Sequence, residues 1–579
     1  MCGICGFINT PTHSKTILED MQKQIMHRGP DSQSIFINKI AAIGFVRLSI
    51  IDLEQRSMQP MISHDEKTVL TFNGEIYNYL ELKNQLQKHG IEFTTKGDAE
   101  VLLKAYLFYG LEKMITKING MFAISIYNVD KNELILIRDR LGKKPLYYQF
   151  YNNQIIYASE LKSLQKHPNF IKEIEPINAK RYLIFGGIPA PYTMYKHTYK
   201  VKAGEYIIFQ NNKIKKRTYW SLNFKNKENN ITLPEAYQTF HSILNKSFLI
   251  RQHTDVAKAL YLSGGIDSTI IAKLFYDNNI NIKTITSVFD NKKSNEEKYA
   301  QIVIDKYQLN NEKIKINIDK NDLYHFMNKI DEPFADSAIF PIMLMSKLVK
   351  QLGYTVVFTG DGGDELLGGY HSTNDYTYKN SFLYNLMTNF NIHNSNFSLL
   401  KYTNPKYKSN SSFFQNFFKI IKDKNLYLSL LDEELYPMIQ NSTNFLEFRQ
   451  LFSIFHMQNF YNFKTDRATM AYSIEARSPL QDYRLYEFIS KIPTKYYTNK
   501  QKKGKIFLKN AILKDFDTSF IFRKKQGFGT PIGDFIDHLD LNFYTKIALN
   551  ALEISTKKNL FHKNKFSLFS LGYWIENNT

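Results

Sequence analysis

Apolar and polar residues alternate with a period of two over residues 122–127, 133–137, 145–150 and 154–158, the pattern of strands with one buried face. These runs predict antiparallel hairpins, and a further strand is expected over 204–209. Helical spacing appears with Leu233, Tyr237, Phe240, Leu244 and Phe248, which recur three and four residues apart. An apolar run over 257–262 follows, then a glycine turn and a helix over 266–275. Two more apolar runs, 284–289 and 355–358, alternate with helical stretches, one opening at 295–300, and helical patterns resume over 445–470. Strands alternating with helices predict a doubly wound parallel sheet, which binds ligands at the carboxyl ends of its strands. The chain therefore reads as α/β throughout. The polar runs 213–217 and 223–230 divide it into 2–210, a linker 211–232, and 233–579. Residues 385–426, rich in Asn, Ser, Lys and Phe without a sustained period, are left as an insertion at the surface or over a site.

The 579 residues exceed a single core, and 43% hydrophobic with 22% charged residues describes a globular protein of two or three domains. No signal-peptide pattern opens the chain and no apolar run is long enough to cross a bilayer, so a cytoplasmic location is expected. Cys2 and Cys5 are too few for a disulfide framework or a four-cysteine zinc site, and no strand precedes their CxxC spacing as a redox motif requires. The net charge of +20 is scattered among Asn, Ile, Tyr and Phe, with no nucleic-acid module. It is read as solvated surface that would assist capture of an anionic ligand.

Candidate chemistry concentrates in Ser263-Gly264-Gly265-Ile266-Asp267-Ser268. Adjacent glycines leave backbone N–H groups uncovered at a helix start, and hydroxyls add donors, which makes an anion cradle. No Gly-Lys-Ser or Gly-Lys-Thr ends the loop, and the Asp267 carboxylate points to a bridging Mg²⁺. The stretch resembles the signature of ATP pyrophosphatase enzymes, which transfer adenylate to an oxygen. Residue 2 is a second focus. Removal of Met1 before a small Cys would leave thiol and α-amine on one residue, with the amine as base.

Met1-Cys2-Gly3-Ile4, His27-Arg28-Gly29-Pro30-Asp31, 47–52, 73–78 and Gly97-Asp98-Ala99-Glu100 resemble the ordered blocks of N-terminal-nucleophile (Ntn) glutamine amidotransferases. The resemblance implies an α/β/β/α glutaminase domain. It also implies that Arg47 pairs with the α-carboxylate of glutamine and Asp98 with its ammonium. Asn73 and the Gly74 N–H would form the oxyanion hole. Ser49, Ile50, Ile51 and Glu75 would complete glutamine binding. Blocks 138–148 and 157–162 read as scaffold.

Asp331 to Ser337, Thr359 to Tyr370, 474–482, 504–509 and 523–532 extend the resemblance to class B, glutamine-hydrolysing asparagine synthetases. That resemblance implies ATP contacts from Leu262, Ser263, Gly264, Gly265, Asp267, Ser268, Ser287, Thr359 and Gly360. It makes Asp364 the second Mg²⁺ ligand, Lys505 the cation on the α-phosphate and pyrophosphate, and Asp361 an aid at the acceptor. The acceptor expected is aspartate, with Lys505, Arg477 and Arg523 as available cations and Asp361 for its ammonium. Ser337 stands where some relatives carry an aspartate-holding arginine, and Ser478, Leu480 and Gln481 depart from the family block. A uronic-acid carboxylate in polysaccharide assembly is the alternative, and a non-catalytic scaffold is a further reading. An internal tunnel is expected to join the two sites. A homodimer is a state the resemblance allows.

Overall fold

The computed structural model describes residues 2–9, 13–228, 230–289, 296–369, 424–498, 504–523, 540–552 and 561–578. The expected insertion up to residue 423, and the basic block from residue 524 onward, lie outside them.

The first half contains β1 (Gly3–Ile8), β2 (Ser32–Ile37), β3 (Ala41–Arg47), β4 (Met61–Ile62), β5 (Thr68–Ile76) and β6 (Gly120–Asn128). It continues with β7 (Glu133–Arg138), β8 (Tyr147–Tyr151), β9 (Gln154–Ala158), β10 (Thr198–Lys200), β11 (Glu205–Gln210) and β12 (Lys213–Thr218). They form two six-stranded sheets, ordered β10-β8-β9-β1-β3-β2 and β12-β11-β7-β6-β5-β4. Strand alternation decides which side chains enter which layer. Ile4 and Ile8 of β1 meet Phe45, Val69 and Leu136 between the sheets. Cys5 and Phe7 point the other way, onto Leu18, Met21 and Ile25 of helix Ser14–Ile25. On the second sheet, Leu70, Phe72 and Ile124 pack against Leu82, Leu86 and Val101 of helices Tyr79–Gln87 and Asp98–Lys117. The result is the α/β/β/α stack. Cys2 joins the inter-sheet cluster and Cys5 the helix side, so the CxxC spacing does not bring the thiols together.

One expectation is corrected here. Residues 213–217, read as the start of an open connection, form β12, paired antiparallel with β11 from Glu205↔Thr218 to Gln210↔Lys213. An edge strand can be almost wholly polar, because it buries few side chains and its charges discourage further pairing. Its pattern of burial is mostly exposed.

In the second half β13 (Lys258–Tyr261), β14 (Lys283–Val288), β15 (Asn310–Lys315), β16 (Val356–Phe358) and β17 (Glu475–Arg477) build one parallel sheet, ordered β15-β14-β13-β16-β17. The chain leaves β13 toward β14 on one side and returns through β16 on the other. The switch point lies beyond the carboxyl ends of β13 and β16. Helix Leu233–Ile250 precedes the sheet and starts with a reciprocal cap, Thr232 with Glu235. It buries Ala236, Phe240, Leu244 and Phe248. Phe240 and Phe248 share one apolar cluster with Leu48, Ile50 and Tyr77 of the first half, so the two halves are joined by core. Helix Phe561–Asn578 adds a second seam, with Leu568, Leu571 and Trp574 packed on Tyr182, Leu183 and Tyr195. Among the described residues, no helix is long and apolar enough to cross a membrane.

Candidate active sites

Cys2 lies just ahead of β1, whose first residue pairs Gly3↔Val46. Its N–H donates to Asn73 Oδ1 at 3.2 Å, and Arg28 Nε donates to its carbonyl at 3.2 Å. Because the oxygen of the Asn73 amide faces Cys2, the buried Nδ2 is left without a hydrogen-bond partner among the described residues. An orphan buried donor is costly unless it has a use. Here it lies on the residue expected to hold an oxyanion. Gly74 has φ 149°, and a Cβ there would stand 1.9 Å from the Met121 carbonyl oxygen, so the position admits only glycine. The Arg47 guanidinium is aimed by two carbonyls, Glu54 at 2.8 Å and Asp52. Asp98 opens its helix and accepts from Ile76 N–H at 2.9 Å. Ser49 N–H donates to Asp31 Oδ2 at 2.7 Å, the Ile50 carbonyl accepts from Asp255 N–H at 2.8 Å, and Ile51 is half-buried.

Burial governs the electrostatics. It pushes the Cys2 thiol up, and lifts Asp98 to about 6 despite the Ile76 N–H that opposes it. It raises Glu75 well above the usual carboxylate range, helped by the nearby Glu475 and Asp98 carboxylates. Part of this field comes from the other half. Arg477 on β17 contacts Glu475 at 2.6 Å and Glu75 at 3.5 Å, and donates to the carbonyls of Arg251 and His253. It is fully buried. The expectation that Arg477 is available to an acceptor is therefore corrected: it is buried between Glu475 and the Glu75 carboxylate of the glutaminase half and does not line the cleft at the switch point of the parallel sheet.

The second site is a cleft of about 680 Å³ beyond β13, β14 and β16. Leu262, Ser263, Gly265, Asp267, Ser268, Ser287, Thr359, Gly360, Asp361, Asp364 and Lys505 line it. Gly264 is not on its wall. It has φ 73°, and a Cβ would stand 2.4 Å from Ala300 N, so its role is to let the loop pass under helix Glu297–Tyr307. The two turns interlock at Gly360, whose Cβ would meet Ser268 N at 2.7 Å, and at Gly363, whose Cβ would meet Asp267 Oδ1 at 2.3 Å. Lys505, 238 residues downstream, brings its ammonium between Asp267 at 2.5 Å and Asp364 at 2.7 Å. Burial alone would lower its pKa, but the two carboxylates outweigh that and hold it charged. The pair of carboxylates supplies hard oxygen donors on a cleft wall. That suits Mg²⁺, which is held by one or two carboxylates together with phosphates and water.

Beyond this trio the cleft continues past Asp361, which accepts from Thr359 Oγ1 at 3.0 Å and Thr465 Oγ1 at 3.3 Å. Its far wall includes Asp336, Tyr461 and Lys464, with Lys464 Nζ 2.6 Å from Asp336. Ala338 lines the cleft, and Ser337 between it and Asp336 does not. A π-helical turn, Met457–Tyr461, leads into helix Asn462–Met470 and so sets the direction of Lys464 and Thr465. Sequence reasoning missed Lys464. The signal was present as the charged run Lys464-Thr465-Asp466-Arg467 inside an otherwise apolar helical stretch. Arg523 donates to the Gly264 carbonyl at 2.9 Å and stacks over Tyr299, which places it at the phosphate-loop end.

Between the sites runs a buried ionic network. Arg28 holds Asp466 through both guanidinium nitrogens, at 2.8 and 3.0 Å, and Glu160 at 2.7 Å. Arg467 holds Asp331 at 2.7 and 3.1 Å and Asp466 at 3.0 Å. Asp331 also accepts from Leu161 N–H at 2.7 Å, and Lys200 pairs with Glu332 at 2.9 Å. Lys143 lines two small cavities at this seam, one with Tyr147 and Lys200, the other with Thr359 and Asp361. Burial, with Arg251 and Lys144 nearby, lowers its pKa to about 7.

Two sheets carrying an N-terminal thiol, joined to a parallel sheet with an anion loop at its switch point, define a two-site amidotransferase. Residues 1–220 match the family described as glutamine amidotransferase domain, and residues 239–569 match asparagine synthase. A relative from Bacillus subtilis (strain 168), asparagine synthetase [glutamine-hydrolyzing] 1, is 31% identical over 97% of this chain and 92% of its own. A putative asparagine synthetase [glutamine-hydrolyzing] 2 from Methanocaldococcus jannaschii is 35% identical over 64% of this chain and 76% of its own. Among solved structures, a glutamine phosphoribosylpyrophosphate amidotransferase from B. subtilis covers 62% of this chain and 81% of its own, at 16% identity and a TM-score of 0.31. The chain belongs to the glutamine-hydrolysing asparagine synthetase family.

Proposed function

We propose that this protein hydrolyses glutamine at Cys2 and uses the ammonia to amidate the side-chain carboxylate of aspartate, activated as its adenylate by MgATP. The observation that carries the reading is the pairing, in one chain, of Cys2 and the orphan Asn73 Nδ2 with the Asp267–Lys505–Asp364 trio at the sheet's switch point. Arg47 and Asp98 would hold the two charged ends of glutamine. With Met1 removed, the Cys2 amine takes the thiol proton as sulfur attacks the side-chain amide carbon, then delivers it to the departing ammonia. Asn73 Nδ2 and Gly74 N–H stabilise the oxyanion, and water releases glutamate from the thioester.

In the cleft, a carboxylate oxygen attacks the α-phosphorus and pyrophosphate leaves. Ser263, Ser268 and the Gly265 N–H donate to phosphate oxygens. Lys505 follows the charge that develops on the α-phosphate and leaving group. Magnesium bound with ATP would neutralise pyrophosphate charge, and Asp267 and Asp364 would hold it. Ammonia then attacks the acyl carbon, its surplus proton goes to Asp361, and AMP leaves. The seam cavities beside Lys143 are the natural place for ammonia to cross.

The test is purified protein with MgATP, glutamine and aspartate, measuring asparagine, AMP and pyrophosphate. Equal amounts of the three support the reading, and Cys2→Ala should keep synthesis from ammonium salts while losing glutaminase. Pyrophosphate released only with a uronic acid, and no asparagine, would replace aspartate by that acceptor.

A further inference from the structure

We propose that Lys464 and Asp336 form a clamp for the α-carboxylate and α-ammonium of aspartate, and so set acceptor specificity. The inference rests on the aspartate reading above. Aspartate presents two carboxylates and an ammonium, and one carboxylate must reach the α-phosphorus. The other two charges need partners at the end of the cleft away from the phosphate loop.

The basic side chains lining the cleft among the described residues are Lys464, Lys505, Lys509 and Arg523. Lys505 is held between Asp267 and Asp364. Lys509 follows it by one helical turn and lies over the Phe522 ring, next to Arg523, whose guanidinium is on the Gly264 carbonyl. These three belong to the phosphate-loop end. Lys464 alone comes from helix Asn462–Met470, one residue before Thr465, whose hydroxyl touches Asp361.

Asp336 comes from the loop after Asp331 and keeps Oδ1 on the Ala338 N–H at 3.0 Å, which aims Oδ2 at Lys464. The loop itself is pinned from outside the cleft by Arg467 on Asp331, and by Ser570, which bonds both N–H and carbonyl of Phe334. Without substrate the ammonium and carboxylate satisfy each other, so neither is left as an unpaired charge in a partly buried site. The Lys464 and Asp336 side chains are 17% and 38% exposed, open enough for a ligand to enter between them. A zwitterion does so without loss: its carboxylate takes the Lys464 charge and its ammonium takes the Asp336 charge. A uronic acid has no ammonium and would leave Asp336 without a cation.

Steady-state kinetics with MgATP and ammonium salts tests this on Lys464→Met, Lys464→Arg and Asp336→Asn in the full chain. Lys464→Met should raise the aspartate KM at least about tenfold, the loss of one charge-assisted contact, with the ATP KM unchanged. Lys464→Arg should restore most of the affinity. Asp336→Asn should narrow the preference for aspartate over succinate, which keeps both carboxylates and lacks the ammonium. Thermal melts confirm that each variant folds. If wild-type protein makes no asparagine, the acceptor reading falls and the clamp with it. If wild-type protein does, and Lys464→Met and Asp336→Asn keep its aspartate KM and its succinate discrimination, the clamp alone is overturned.

Discussion

Replacing Arg28 with Met should both loosen the seam between the halves and disturb the nucleophile, by amounts the geometry sets. The guanidinium is fully buried and carries two bonds to Asp466, one to Glu160 and one to the Cys2 carbonyl. Solvent screening gives no discount at such a site, and removing one partner of a buried ion pair costs about 3–5 kcal/mol. Both carboxylates keep other cations: Asp466 has Arg467 at 3.0 Å and Lys144 at 3.6 Å, and Glu160 has Lys162 at 2.8 Å. The lower end, about 3 kcal/mol, is therefore expected. Loss of the charged donor to the Cys2 carbonyl adds about 1.5 kcal/mol to the glutaminase barrier, roughly tenfold in kcat/KM.

Urea unfolding followed by tryptophan fluorescence is well placed to see the first effect, because both tryptophans lie at the seam: Trp220 bonds to Glu487 at 2.8 Å, and the Trp574 ring packs 5.3 Å from that of Tyr195 in the first half. In a cycle with Asp466→Asn, the double variant should lose at least about 1 kcal/mol less than the two single losses together, since each single change strands a partner. An unchanged Arg28→Met midpoint, or strictly additive losses, would refute the reasoning that this pair joins the halves.

Asn73→Ala should lower glutaminase kcat by about 10²–10³ while ammonia-driven synthesis persists, as expected when one oxyanion donor is removed; a glutamate-release assay on both routes checks this. Asp267→Asn should abolish ATP-dependent synthesis from either nitrogen source and leave glutaminase in place, measured by pyrophosphate release. For pH, Asp98 has its pKa raised to about 6 by burial, so below that value it is protonated and cannot pair with the ammonium of glutamine. Glutaminase kcat/KM should therefore fall as pH drops through about 6, and Asp98→Asn should be weak at all pH and lose that step.

What the sequence determined by itself was local or periodic. Alternating runs are legible because a strand buries every second residue, and the layered first half follows from them. Ser263 to Ser268 was legible because its glycines, hydroxyls and carboxylate act through neighbouring backbone, at the end of an apolar run that had to be a buried strand. Cys2 stood out because removal of Met1 would put an amine and a thiol on one residue. Tertiary structure decided everything that depends on separated segments meeting. β12 escaped because an edge strand needs no apolar alternation. Arg477 looked available until β17 placed it against Glu475 and Glu75. Lys505 reaches Asp267 across 238 residues, and Arg28 reaches Asp466 across 438. Lys464 became visible as an acceptor-site cation only when the π-helical turn and the pinned 331–337 loop set it opposite Asp336. A charged residue in a helix carries no mark of what it will face. Its partner is chosen by packing between elements, and chain order does not record that packing.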